Sequence, residues 1–101
     1  MYPSSSQTII LYTPLTLANG AQLTEIALRE PTVRDRILRE KDRGSEGEKD
    51  ARMLALLCNM NEEDIYALTA ADYLQLEEAF NVFMLPPSKR PKQRSSMDSA
   101  S

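Results

Sequence analysis

Apolar and polar residues alternate along this chain from Thr8 to Arg29, then the apolar ones recur at helical spacing to Leu85, and Pro31 sits at the change of period. Proline fixes φ near the helical value, lacks an N–H that a first turn would not use, and holds the preceding residue extended. The stretch Leu28-Arg29-Glu30-Pro31-Thr32-Val33-Arg34-Asp35 therefore closes a strand and opens a helix.

The first period predicts a β-hairpin over residues 8–29, because Asn19-Gly20 is the favoured pair for a two-residue type I′ turn. That turn pairs Leu17 with Gln22, Leu15 with Thr24, Thr13 with Ile26 and Leu11 with Leu28. Side chains alternate across a strand, so Ile9, Leu11, Leu15, Leu17, Ile26 and Leu28 share one face. Tyr12, Pro14, Thr16, Glu25 and Arg29 take the other, with Ile10 and Leu23 as apolar exceptions. Pro14 cannot donate to the ladder, which calls for an edge or a bulge at that point. A lone hairpin is marginal in water and needs helices across its apolar face.

The second period predicts helices near 32–43, 46–58, 62–67 and 70–85. Each start has a capping side chain three residues before an acid: Thr32 with Asp35, Ser45 with Glu48, Asn61 with Asp64, Thr69 with Asp72. Met60 with Ile65 and Leu68 with Tyr73 are spaced as hydrophobic staples. In the first helix Val33, Ile37 and Leu38 form a stripe expected to face the hairpin. Asp35 with Arg39 and Arg36 with Glu40 are ion-pair spacings, and Gly44 is placed for a left-handed helix end. The second helix carries Leu54, Leu57 and Cys58 on one side, flanked by Met53 and Leu56. The last carries Tyr73, Leu76, Phe80, Phe83 and Met84 and stops at Pro86-Pro87. The fold class is α+β: an N-terminal hairpin packed against about four short helices, as one domain over residues 8–85. Residues 1–7 and the Pro-, Ser- and Lys/Arg-rich stretch 86–101 are expected to be disordered.

Charge is uneven. Lys89, Arg90, Lys92 and Arg94 against Asp98 give residues 86–101 a formal +3, leaving −6 on residues 1–85 within a total of −3. Glu62, Glu63, Asp64, Asp72, Glu77 and Glu78 have no basic residue among them, so that segment repels nucleic acid while the tail weakly attracts it. No apolar run approaches the ~18 residues of a membrane span, and no basic-then-apolar leader opens the chain. A soluble protein of a reducing compartment is the expectation, with Cys58 as the single cysteine.

Candidate chemistry is sparse. There is no histidine to activate Cys58, whose apolar neighbours Leu56, Leu57 and Met60 suit a buried wall. With one cysteine and no histidine, metal binding would need oxygen ligands alone, and Asp42 to Asp50 lacks the pattern of a calcium loop. No enzyme, cofactor or metal site is expected. Arg29, Glu30 and Asp35 either fix the angle between hairpin and helix or present charge to a partner. Leu74, Val82 and Leu85 extend the apolar surface of the last helix beyond one face, as in a helix that meets another chain. The basic tail has no aromatic residue to stack on bases.

A resemblance adds what these patterns do not contain. Leu15 to Asp35, with its Asn19-Gly20 turn and then Leu-Arg-Glu-Pro-Thr-Val-Arg-Asp, resembles the tail assembly chaperones of contractile-tailed phages related to Mu and P2. Leu54 to Cys58, the acidic turn Asn61-Glu62-Glu63-Asp64-Ile65 and Leu68-Thr69-Ala70-Ala71-Asp72-Tyr73 follow in that family's order, over about residues 9–85. The resemblance implies a non-enzymatic protein of the host bacterial cytoplasm that binds the phage tape measure protein, keeps it soluble during tail morphogenesis, and is absent from the mature virion. It implies as further partners the tail tube subunits, a frameshifted longer form and a second copy. Phe80, Val82, Phe83 and Leu85, with Arg29, Glu30 and Asp35, are the candidate contact residues. The rival is a small regulatory nucleic-acid-binding protein that uses the basic tail.

Overall fold

The computed structural model describes residues 6–91. Strand β1 (Ser6–Thr16) and strand β2 (Gln22–Arg29) pair antiparallel as a two-stranded sheet. Four helices follow, α1 (Val33–Lys41), α2 (Glu46–Cys58), α3 (Glu62–Tyr66) and α4 (Ala70–Phe83), and then a single 3₁₀ turn at Pro87–Lys89. This is the α+β architecture the periods predict. The buried face of the sheet carries Ile9, Leu11, Leu15, Ile26 and Leu28. Helix α4 lies along β1 and α2 along β2, while α1 and α3 attach to α2. Ala51, Met53, Leu54, Leu57, Ile65, Leu76, Ala79 and Phe83 complete the core.

The hairpin keeps the predicted inward residues but not the predicted register, and Leu23, expected on the outer face, stands opposite Leu15 and packs against the core. Gly20 has φ 91° and is the one residue of the loop with positive φ, whereas a type I′ turn needs two. Gly20 N–H donates to Leu17 O at 2.9 Å and Leu17 N–H to Ala21 O at 2.7 Å. This is a turn followed by a left-handed glycine, which moves the pairing by one residue to Leu15 with Leu23 and Thr16 with Gln22. Beyond it Ile10 pairs with Glu25 and Ile9 with Ile26, so four residues of β1, Leu11 to Pro14, stand opposite Thr24 alone. A large bulge therefore surrounds Pro14, which has no N–H to pair there. Leu11 and Leu15, an even number of residues apart, are both buried on either side of the bulge.

Other expectations change with packing. Ser6 and Gln7, expected to be disordered, belong to β1. Val33, Ile37 and Leu38 do not face the hairpin; Val33 is 73% exposed, and the buried residue of α1 is Asp35. The reason is that α1 docks on α2 through ion pairs. Arg39 binds Glu46 at 2.9 Å and Asp50 at 2.7 Å instead of Asp35, and Arg52 reaches Asp42 at 2.6 Å. Helix α1 ends at Lys41 with an extended Asp42, whose carboxylate accepts from Gly44 N–H at 2.8 Å. Gly44 is therefore not a left-handed cap. A Cβ there would meet the ends of two long side chains, Arg52 Nη1 at 2.6 Å and Glu48 Oε1 at 2.9 Å, which would have to shift aside. The left-handed helix end is instead Asn59, after α2. Leu56 and Met84 are exposed.

Candidate functional site

Two acids of the helix starts do not cap as spaced. Thr32 with Asp35 and Ser45 with Glu48 form complete capping boxes. Asn61 makes no side-chain cap, and the carboxylate of Asp64 accepts from Ala18 N–H at 3.1 Å in the hairpin loop. Thr69 accepts from Asp72 N–H at 3.2 Å, yet the Asp72 carboxylate turns to the bulge of β1. It accepts Tyr12 N–H at 2.8 Å and Thr13 N–H at 3.1 Å, donors that the bulge strips of ladder partners. Gln75 Nε2 donates to Asp72 at 2.9 Å and to Ile10 O at 3.0 Å. Asp72 is 0% exposed. Burial pushes its carboxyl up, but the Tyr12 and Thr13 N–H groups, with the Gln75 and Thr69 side chains, outweigh it and hold it below the usual range. Helix α4 is thus pinned to β1 by a buried charge rather than by apolar contact alone.

The pivot is tied just as firmly. Arg29 grips Asp35 with two bonds, Nη1 to Oδ2 at 2.8 Å and Nη2 to Oδ1 at 2.9 Å, and Thr32 adds its N–H at 2.7 Å and hydroxyl at 3.0 Å. The Arg29 bond, chiefly, holds the Asp35 carboxyl down to about 2 against the opposing effect of burial. Arg29 and Asp35 fix the angle between sheet and helix, with Asp35 inside. Next to them, Arg90 donates to Glu30 at 2.7 Å, to Phe83 O and Leu85 O at 2.9 Å each, and stands 5.2 Å over the Phe83 ring. A cation here also suits the carbonyl end of α4. Arg90, in a stretch the sequence assigns to the tail, is accordingly engaged internally. The remaining tail, with Lys92 and Arg94, lies outside the described residues.

The structure therefore brings the pivot residues and the end of α4 to one corner, joined by an arginine the sequence had assigned to solvent. It does not place all seven candidates at the surface. Phe83 and Asp35 are buried; Phe80, Val82, Arg29 and Glu30 are half-buried; Leu85 is exposed. Phe80 opens onto a feature the sequence did not announce, a groove between α2 and α4. One part, about 180 Å³, is lined by Asp50, Met53, Leu54, Glu77, Phe80 and Asn81. It adjoins at Asp50 and Glu77 a wider part of about 550 Å³ that reaches Ala51, Ile65, Leu68 and Tyr73. The one sequence signal for it was Glu77, a carboxylate standing within the apolar stripe from Tyr73 to Phe80.

An apolar groove beside a surface with exposed apolar side chains is a docking geometry. The model of the phage tail assembly chaperone proteins, E, or 41 or 14, matches residues 8–85. The chain belongs to this family. As a tail assembly chaperone it acts in the host cell during phage assembly, in interaction with tail proteins. Among the described residues, no helix is long and apolar enough to cross a membrane. No curated protein and no solved structure gives a significant match. The matched span of the chaperone runs from β1 to the end of α4 and so contains both the groove and the pivot.

Proposed function

We propose that this tail assembly chaperone binds the phage tape measure protein in the host cytoplasm, keeps it soluble, and leaves it before the virion is complete. The observation that supports this most is the open groove between α2 and α4, with Phe80 in its wall. Phe80 at the groove and Val82 and Leu85 beyond it are the contact side chains. Phe83 and Asp35 act from beneath, with Arg29, Glu30 and Arg90 holding the end of α4 in place. Release to the assembling tail tube subunits is consistent with a surface held by packing rather than by a covalent or metal link.

Co-expression with the phage's own tape measure protein tests the reading. The wild-type chain is expected to keep that protein in the soluble fraction and to co-purify with it. Phe80→Ala combined with Leu85→Asp should abolish both while circular dichroism shows an unchanged helix content. A folded wild-type chain that neither solubilises nor retains the tape measure protein overturns the proposal.

A further inference from the structure

The chemistry of the groove specifies its occupant more narrowly than apolarity does. Resting on the client-binding reading above, we infer that the groove takes an amphipathic α-helix whose apolar stripe is flanked by lysine or arginine, and that Glu77 is the carboxylate that receives the cation. The charged residues lining the two parts of the groove are Glu48, Asp50 and Glu77, with no lysine or arginine. Two of the three have internal work. Asp50 accepts from Arg39 at 2.7 and 3.0 Å, and Glu48 closes the capping box with Ser45 at 2.9 Å. Glu77 is half-buried and makes no ion pair among the described residues.

Burial, and then the charges of Glu77 and Asp50, push the Tyr73 hydroxyl up, so the negative potential is felt across the groove. Glu77 lines both parts of the groove, next to Phe80 in one and Tyr73 in the other, so its carboxylate favours a guest that brings a cation to the edge of its apolar stripe. The same place offers half-buried Phe80 to an apolar ridge, over a floor made by the buried Met53 and Leu54. Two neighbouring helices with a gap between them accept the ridge of a third, as in grooves that bind amphipathic helices. The walls α2 and α4 are 13 and 14 residues long, which is about 20 Å at 1.5 Å per residue and matches some four turns of a guest.

Two synthetic 18-residue helical peptides with the same leucine stripe, one flanked by lysine and one by glutamate, are the probes, with affinity read by fluorescence anisotropy. The lysine peptide should bind about tenfold more tightly than the glutamate peptide, and added salt should erode that preference. Glu77→Gln should weaken the lysine peptide about fivefold, and Glu78→Gln, an exposed neighbour with the same formal charge change, should leave it unaltered. Equal affinity for the two peptides, or equal effects of the two substitutions, overturns the inference. If the tape measure protein co-purifies but neither peptide preference nor Glu77 dependence is seen, the inference fails and the client reading stands. If the peptides behave as expected while the tape measure protein does not co-purify, the client reading is the one that fails.

Discussion

At the scale of single residues, three buried groups define how this small chain is held together. Asp72 satisfies two N–H groups of β1 that no other strand can reach, and an asparagine presents one acceptor oxygen where the carboxylate has two. Asp72→Asn is expected to lower stability by about 2–3 kcal/mol in urea unfolding, because a buried donor loses its acceptor. Asp35 adds a pH dependence. Its carboxyl is held at about 2 in the fold against an ordinary value of 3.8, so its stabilisation is complete above pH 3.8 and is lost as pH falls toward 2. With solvent reaching half-exposed Arg29, that contribution is on the order of 1–2 kcal/mol. Asp35→Asn should therefore be less stable at neutral pH and flatten the decline between those two values, as followed by thermal melts across an acid series. Cys58 is a buried thiol pushed up to about 12 by desolvation, and it should react with an aromatic disulfide reagent only once the protein is unfolded.

At the scale of elements, spacing proved a good guide where a side chain acts on its own turn and a poor one where tertiary structure recruits it. The capping boxes at Thr32 and Ser45 are local, need no other element, and stand as the sequence spaces them. Asp64 and Asp72 occupy the same position in their helices, but each is within reach of an unpaired hairpin N–H and turns there. Ser45→Ala should therefore cost about 1 kcal/mol, and Asn61→Ala only a few tenths, a contrast that parallel denaturant titrations resolve. The hairpin register failed for a similar reason. A two-residue turn was the favoured local choice, but Pro14 imposed a bulge and the loop closed around Gly20 alone. The inward placement of Leu11 and Leu15 survived both changes, while on β2 the shift carried Leu23 to the core side. The apolar stripe of α1 was misassigned since periodicity says which residues share a side, not whether a side is covered. Ion pairs to α2 decided the docking of α1 and left Val33 and Ile37 outside.

For the whole molecule, the sequence contained the class of fold and the family, but not the groove. The groove exists because α2 and α4 rest on different strands of one sheet, and no pattern within either helix encodes the distance between them. Arg90 was hidden for the opposite reason: its neighbours Pro86, Pro87, Ser88 and Lys89 have the composition of a solvated tail, while its partners lie 60 residues away at Glu30 and just upstream at Phe83. Arg90→Ala is expected to speed amide hydrogen exchange at the end of α4 and around Glu30 together, with the centre of α2 unaffected. The hairpin shows what such ties achieve beyond stability. With no third strand among the described residues, β1 and β2 are both border strands, and a border with free donors recruits neighbouring chains into ever wider ribbons. Asp72 occupies two such donors at the bend in β1, and Asp64 a third in the loop beyond it. These carboxylates make the margin of the sheet unreceptive there, so a protein that works among other folding chains is kept from adding them to itself strand by strand.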